Sequence, residues 1–357
     1  MFKKDFLLFL SLFIIIVLGL LILLSLSYSE TPRFSSLKKQ LLFFLIGFFV
    51  FFFFRNIDWR IFSQPFIVFL YFFSLFLLIL VLIFGTRIKG SAGWFNLGFF
   101  HFQPVEITKI ILILILANFL ASKHLELWQF RNLFKTAIFV GLPTLLLIMQ
   151  PDLGGALVLL GIWFFLILIG GIRANQVFFL IGIFILTSLL VWNFVLKDYQ
   201  RNRIINFLNP NYDPLGIGYN REQALIAIGS GKIFGKGLGW GTQTHLRFLP
   251  LAKTDFIFAA LAEELGLIGV SILLISFLIF INRLVYLANV FDDNFSKLFT
   301  IGFALKILIE TTINIGMNTG ILPIIGIALP FVSLGGSHLI ADFFALGIIY
   351  SRLTHPA

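Results

Sequence analysis

Ten apolar runs, most of them near the roughly 20 residues needed to cross a bilayer as a helix, dominate this chain of 357 residues. They fall at about residues 6–27, 41–54, 66–84, 106–121, 136–150, 153–171, 177–196, 255–281, 298–319 and 323–350. The second has a short core and must borrow flanking residues. The last is interrupted by Pro330 and Gly335-Gly336 and reads as discontinuous. With 12% charged residues, against roughly 25% in soluble domains, and a mean hydropathy of +1.04, the class is settled. The sequence predicts an all-α polytopic membrane protein of about ten transmembrane helices, a single integral domain over 1–357.

One long polar insert, residues 197–254, separates the seventh and eighth runs. Lys3, Lys4, Arg55, Arg60, Lys123, Arg131, Lys135, Arg173, Arg283, Lys297 and Arg352 fall on the side of the termini. The opposite short loops hold Arg33, Lys38, Lys39, Arg87 and Lys89. The positive-inside rule, counted over short loops, places both termini in the cytoplasm and the insert outside. Lys3-Lys4, an apolar run and Ser25-Leu26-Ser27 imitate a signal peptide, but the run is too long and nine more follow. It reads as a retained first helix.

Several function classes drop out. The chain has no cysteine, which removes disulfides and thiol chemistry. Its histidines, at 101, 124, 245, 338 and 355, have no metal-motif spacing. A net charge of +10 is dispersed through short loops, so anionic lipid headgroups or a phosphate-bearing substrate fit better than nucleic acid. The 48 phenylalanines read as lipid-facing bulk.

The insert is basic, with Arg201, Arg203, Arg221, Lys232, Lys236, Arg247 and Lys253, and rich in glycine from Gly216 to Gly241. Glycine backbone can approach a phosphate closely, or simply allow tight turns. Neither a P-loop nor a Gly-x-Gly-x-x-Gly register fits. The insert ends in Lys253-Thr254-Asp255-Phe256, which sets a carboxylate at the water–lipid boundary. Asp255 there could cap the next helix, with Thr254, or act as a general base on a sugar hydroxyl of a lipid-linked substrate. Glu263, roughly 80° around the helix from Asp255, could share its cavity, whereas Glu264 faces away. Glu106 with Lys109 and Lys306 with Glu310 can pair along their helices, either as structural ion pairs or as lining of a polar path. Asp152, after Pro151, reads as a helix cap.

These residues sit in ordered blocks that resemble one family over essentially the whole length. The blocks are Lys89-Gly90-Ser91-Ala92-Gly93-Trp94 with Phe102-Gln103-Pro104-Val105-Glu106-Ile107-Thr108-Lys109, and Gln150-Pro151-Asp152-Leu153-Gly154. In the insert follow Arg203-Ile204, Phe207-Leu208-Asn209-Pro210, Asp213-Pro214-Leu215-Gly216, Gly218-Tyr219-Asn220, Ala227-Ile228-Gly229-Ser230-Gly231 and Gly241-Thr242-Gln243. Thr254 to Gly266 continues the pattern, and Leu329-Pro330-Phe331, Ser333 and Gly335-Gly336-Ser337 close it. The chain resembles the SEDS family (shape, elongation, division and sporulation). Gly235-Lys236-Gly237 and Phe248-Leu249-Pro250 are more similar to its elongation branch, RodA, than to the division branch, FtsW.

The resemblance implies a peptidoglycan glycosyltransferase in the bacterial cytoplasmic (inner) membrane. It would polymerise lipid II onto a nascent glycan strand beside a class B penicillin-binding protein. The family's catalytic aspartate falls on Asp255. The candidate substrate-binding set is Trp94, Glu106, Lys109, Arg203, Lys236, Gln243, Arg247 and Ser337. No resident cofactor is called for, and a divalent cation at the pyrophosphate stays an open alternative. Gly93 stands where the family usually has arginine, which counts against that loop binding pyrophosphate by itself. Val105, Leu251 and Lys253 replace the family's usual serine, glutamate and histidine, and Lys253 adds a cation expected to favour ionised Asp255. The competing readings are a lipid II flippase, with the charged pairs lining its path, and a non-catalytic scaffold.

Overall fold

The computed structural model describes residues 2–355 except 29, 31, 89, 90, 99, 124–128, 195, 210, 211, 214, 215 and 217. Lys89, Gly90, His124, Pro210, Pro214 and Leu215, used in the sequence reading, therefore lie outside the described residues. Ten long helices follow the ten apolar runs. They are α1 (Phe2–Ser27), α2 (Ser35–Asn56), α3 (Gln64–Phe84), α4 (Pro104–Lys123), α5 (Phe130–Met149), α6 (Leu153–Ile169), α7 (Ala174–Phe194), α11 (Ile257–Val290), α12 (Asn294–Asn318) and α13 (Gly336–Thr354). Among the described residues, 8 helices are long and apolar enough to cross a membrane; α6 is shorter and α13 is not among them. The insert holds α8 (Asp198–Leu208), α9 (Tyr219–Gly231) and α10 (Thr242–His245).

The second run does borrow its flanks, since α2 extends well beyond 41–54 at its N-terminal end. Beside the helices, a small antiparallel sheet lies between α3 and α4. Its strands are β1 (Thr86–Ile88), β2 (Ser91–Asn96) and β3 (His101–Phe102), in the order β1-β2-β3. Short polar turns between spans leave backbone that must pair with something, and pairing with itself keeps Trp94 near the bundle.

α4 is the centre of the bundle. It packs against α3, α5, α6, α12 and α13, and its interior residues from Ile110 to Ala117 are buried. α2 and α13 approach closely because glycine faces aromatic rings. A Cβ at Gly47 would lie 2.4 Å from the Phe343 ring, and one at Gly336 2.6 Å from Phe43. Where lipid is as apolar as leucine, such small-residue contacts are what bring helices together. α7 is peripheral and buries only Gln176 and Leu180.

Two spans are broken, and each break is answered by the chain. α11 loses helical geometry at Gly266 (φ 63°, ψ −162°). The Lys232–Gly237 segment docks there. Leu267 N–H donates to Lys232 C=O (2.9 Å), Lys236 N–H to Glu263 C=O (2.9 Å) and Gly237 N–H to Glu264 C=O (3.0 Å). A Cβ at Gly235 would sit 2.1 Å from the Glu264 carbonyl oxygen, so only glycine permits this approach. Gly235 and Gly237 serve this backbone docking. The second break is the last run: residues 319–335 are non-helical, with positive φ at Gly320, Gly326 and Phe331, before α13 begins. Irregular backbone at this depth is tolerated where it is buried or lines a cavity.

Candidate active site

The loop that carries Asp255 is held by three successive carbonyls. Lys253 C=O accepts from Leu334 N–H (2.8 Å) and Thr254 C=O from the Ser333 hydroxyl (2.6 Å). Asp255 C=O accepts from both Asn314 Nδ2 and Asn318 Nδ2, each at 3.0 Å. Asn314 also donates to Ile327 C=O (2.7 Å), and Asn318 Oδ1 accepts from Ala259 N–H (3.1 Å). The two fully buried amides thus tie the loop, the start of α11 and the broken last span to α12. Phe256 occupies the N-cap position of α11 and supplies no capping bond, and the Thr254 hydroxyl turns to Leu251 C=O (3.4 Å). The N-cap position thus falls on Phe256 and not on Thr254, where the sequence put it.

Lys253 has a carboxylate partner of its own. Its ammonium pairs with Glu30 in the α1–α2 turn, whose carboxylate also accepts from the Ser36 hydroxyl and N–H. Burial works against the charged form of Glu30, but Lys253 and Ser36 outweigh it and lower the carboxyl to about 2. The pair contributes stability above the ordinary glutamate value of 4.5 and loses it as the pH falls toward 2. Lys253 is therefore a tether between the turn and the loop.

Asp255 lines a cavity of ≈ 920 Å³. Trp94, Glu106, Lys109, Arg203 and Ser337 from the sequence set line it too, as do Asp152, Glu310 and His338. Its remaining walls are mostly apolar, from α5 and α7. Residues 323–328 pass along it, and a Cβ at Gly326 would lie 3.6 Å from Asp255 Oδ2. Arg203 lies with its guanidinium 5.7 Å from the Tyr199 ring centre, which keeps a cation on the α8 side. Ser337 Oγ accepts from Gln103 N–H (2.9 Å) and fixes the start of α13 to that of α4. Asp152 caps α6 as expected, accepting from Gly155 N–H (2.8 Å).

Lys236, Gln243 and Arg247 are not among the cavity-lining residues. Glu263, expected to share the cavity with Asp255, is fully buried elsewhere. It accepts from Lys236 Nζ (2.8 Å), Gln243 N–H (2.9 Å) and Thr244 N–H (3.2 Å) and so folds the glycine-rich loop onto α11. Glu264 accepts from Ser25 (2.8 Å) and lies 2.8 Å from His245, tying that loop to α1. Arg247 is exposed, with φ at 63°.

The two anticipated ion pairs are parts of one network. Glu106 Oε1 meets Lys109 (2.8 Å), Lys109 meets Glu310 (2.7 Å), Glu310 meets Lys306 (2.9 Å) and Lys306 meets Asp342. It joins α4, α12 and α13 with every member buried. Sequence reading missed Asp342, Asn314, Asn318 and His338. The signal for the asparagines was present: Lys306, Glu310, Asn314 and Asn318 recur every four residues and form one polar stripe on α12.

Comparisons with known proteins place this arrangement. The family model described as Cell cycle protein, covering FtsW, RodA and SpoVE, matches residues 5–356. Peptidoglycan glycosyltransferase MrdB of Escherichia coli (strain K12) is 39% identical over 287 residues, 80% of this chain and 77% of its own. Stage V sporulation protein E of Bacillus subtilis (strain 168) is 38% identical over 98% of each chain. A solved chain described under structural coordination of polymerization and crosslinking by a peptidoglycan synthase complex superposes with a TM-score of 0.79 at 31% identity, over 98% of both chains. The Rod shape determining protein RodA of Thermus thermophilus gives 0.72 at 28% identity, over 99% of this chain and 96% of that one.

The network makes a prediction about stability. Lys109 answers two carboxylates, so Lys109→Leu is expected to cost about 3–5 kcal/mol by stranding buried charge. Glu106→Gln keeps an acceptor for Lys109 and is expected to cost about 1–3 kcal/mol. Combining Glu106→Gln with Lys109→Leu should not restore stability, because Glu310 still loses a partner. Thermal unfolding in detergent checks the order.

Proposed function

The chain belongs to the FtsW/RodA/SpoVE family of cell cycle proteins, and from that premise we propose how its cavity builds glycan. The protein is a peptidoglycan glycosyltransferase of cell-wall synthesis. Its substrate is lipid II, added to a nascent strand during elongation of the wall. Asp255 takes the proton from the acceptor's 4-hydroxyl as that oxygen attacks the anomeric carbon of the donor's muramyl unit. The bond from that carbon to undecaprenyl pyrophosphate breaks with inversion from α to β. One base and no enzyme nucleophile suffice. Arg203 offsets charge on the departing pyrophosphate; Lys236 and Arg247, the other cations of the insert in the candidate set, do not line the cavity.

The observation that carries this reading is Asp255 on the wall of a large, mostly apolar cavity, its backbone fixed by two amides. Apolar walls suit a polyprenyl tail, and a carboxylate with a cation suits glycosyl transfer. Charged pairs lining a path would suit a flippase; here Glu106, Lys109 and Glu310 line the cavity, while Lys306 is fully buried and paired with Glu310 and Asp342. The similarity to a synthase complex that coordinates polymerization and crosslinking supports a class B penicillin-binding protein as partner. The whole chain, 1–357, acts as one domain in the cytoplasmic (inner) membrane. Both termini face the cytoplasm and 197–254 faces out, as the short-loop charges require.

Two measurements test the reading. In proteoliposomes that contain the protein and its partner, lipid II supplied only on the outer face should yield polymer. Headgroup translocation without polymer would make the protein a flippase. For orientation, a cysteine replacing the exposed Tyr212 in this cysteine-free chain should react with an impermeant thiol reagent from outside intact cells. Reaction only from the cytoplasmic side would reverse the topology.

A further inference from the structure

Besides Asp255 and Asp152, the cavity carries its other charged groups on separate elements. On the α8 side it carries Arg203. On the α4, α12 and α13 side it carries Glu106, Glu310 and a single ammonium, Lys109. Behind these, Lys306 and Asp342 complete a network of three carboxylates and two ammoniums, a formal excess of one negative charge. A pyrophosphate approaching that wall meets like charge, whereas hydroxyl and amide groups can donate to it.

Two polar atoms on this wall have no hydrogen-bond partner among the described residues: Glu106 Oε2 and His338 Nε2. Both residues are 8% exposed and both line the cavity. Leaving a buried polar atom unsatisfied is costly, so such atoms in a cavity wall point to a ligand. They are also neighbours by construction. Gln103 N–H and Ser337 Oγ join the starts of α4 and α13 (2.9 Å); Glu106 follows Gln103 by three residues, and His338 follows Ser337 directly. The imidazole packs on bare backbone, since a Cβ at Gly335 would lie 2.4 Å from His338 Cε1.

We infer that His338 Nε2 and Glu106 Oε2 form a subsite for the neutral sugar portion of the substrate, opposite an Arg203 end that takes its pyrophosphate. Glu106 Oε2 accepts from a sugar hydroxyl or acetamido N–H, and the imidazole supplies the complementary bond. This deepens the glycosyltransferase reading and rests on it for the identity of the ligand. His338 is a sugar-binding residue and takes no proton from the reacting hydroxyl.

Equilibrium binding to detergent-solubilised Asp255→Asn protein separates the two ends without turnover. The probes are lipid II and undecaprenyl pyrophosphate, which has the anion and tail but no sugar. His338→Phe keeps a ring against Gly335 and removes both nitrogens. It should raise the Kd for lipid II about 3- to 10-fold, the worth of one or two neutral hydrogen bonds, and leave that for undecaprenyl pyrophosphate within about two-fold. Arg203→Gln should weaken undecaprenyl pyrophosphate instead. An unchanged lipid II Kd in His338→Phe, or an equal rise for both probes, overturns the subsite. His338→Ala gives the same contrast through a smaller side chain, so misfolding of one variant leaves the other to decide. The contrast in binding together with a wild-type protein that makes no polymer would leave the subsite standing and sink the glycosyltransferase reading.

Discussion

A bilayer offers no water to an unpaired peptide group, and this fold breaks two of its spans where other parts of the chain supply the partner. At Gly266 the Lys232–Gly237 segment pairs with the opened turn of α11. Across the non-helical stretch before α13, Asn314, Ser333 and the Lys253 carbonyl take up the freed groups. The bonds that make the second break tolerable also set the position of Asp255. Loop placement and helix repair are there one set of interactions.

Charge follows a similar logic. α12 presents Lys306, Glu310, Asn314 and Asn318 along one stripe, ionic at depth and amide nearer the loop. The ionic part crosslinks three helices and forms one wall of the cavity. The amide part holds the loop that carries Asp255. Such a stripe is expensive to bury unless every group has its partner, and nearly all do. In and beside the network, Glu106 Oε2, His338 Nε2 and Asp342 Oδ2 lack a hydrogen-bond partner among the described residues, and Glu106 and His338 line the cavity.

Much of this was legible beforehand. Ten apolar runs gave the helices, Gln150-Pro151-Asp152 gave a cap, and the two ion pairs formed as their spacing required. What escaped was whatever depends on a contact between distant segments. The glycines from Gly216 to Gly241 left phosphate approach and tight turns both open, because composition cannot tell close approach to a ligand from close approach to another helix. Glu263 was judged by helical angle alone, and the loop that buries it lies outside its helix. The partner of Lys253, Glu30, lies more than two hundred residues earlier, where no local pattern could pair them. The sheet around Trp94 has strands too short to leave a period.

The central claim is that Asp255 is the base for a direct glycosyl displacement. It is tested most directly by the turnover of lipid II by Asp255→Asn protein, shown by thermal unfolding to be folded like wild type. The amide is nearly isosteric and keeps the backbone carbonyl that Asn314 and Asn318 hold, but it cannot take a proton. Polymerisation is expected to fall by about 10²- to 10⁴-fold. Turnover at the wild-type rate by a well-folded Asp255→Asn protein would contradict the account.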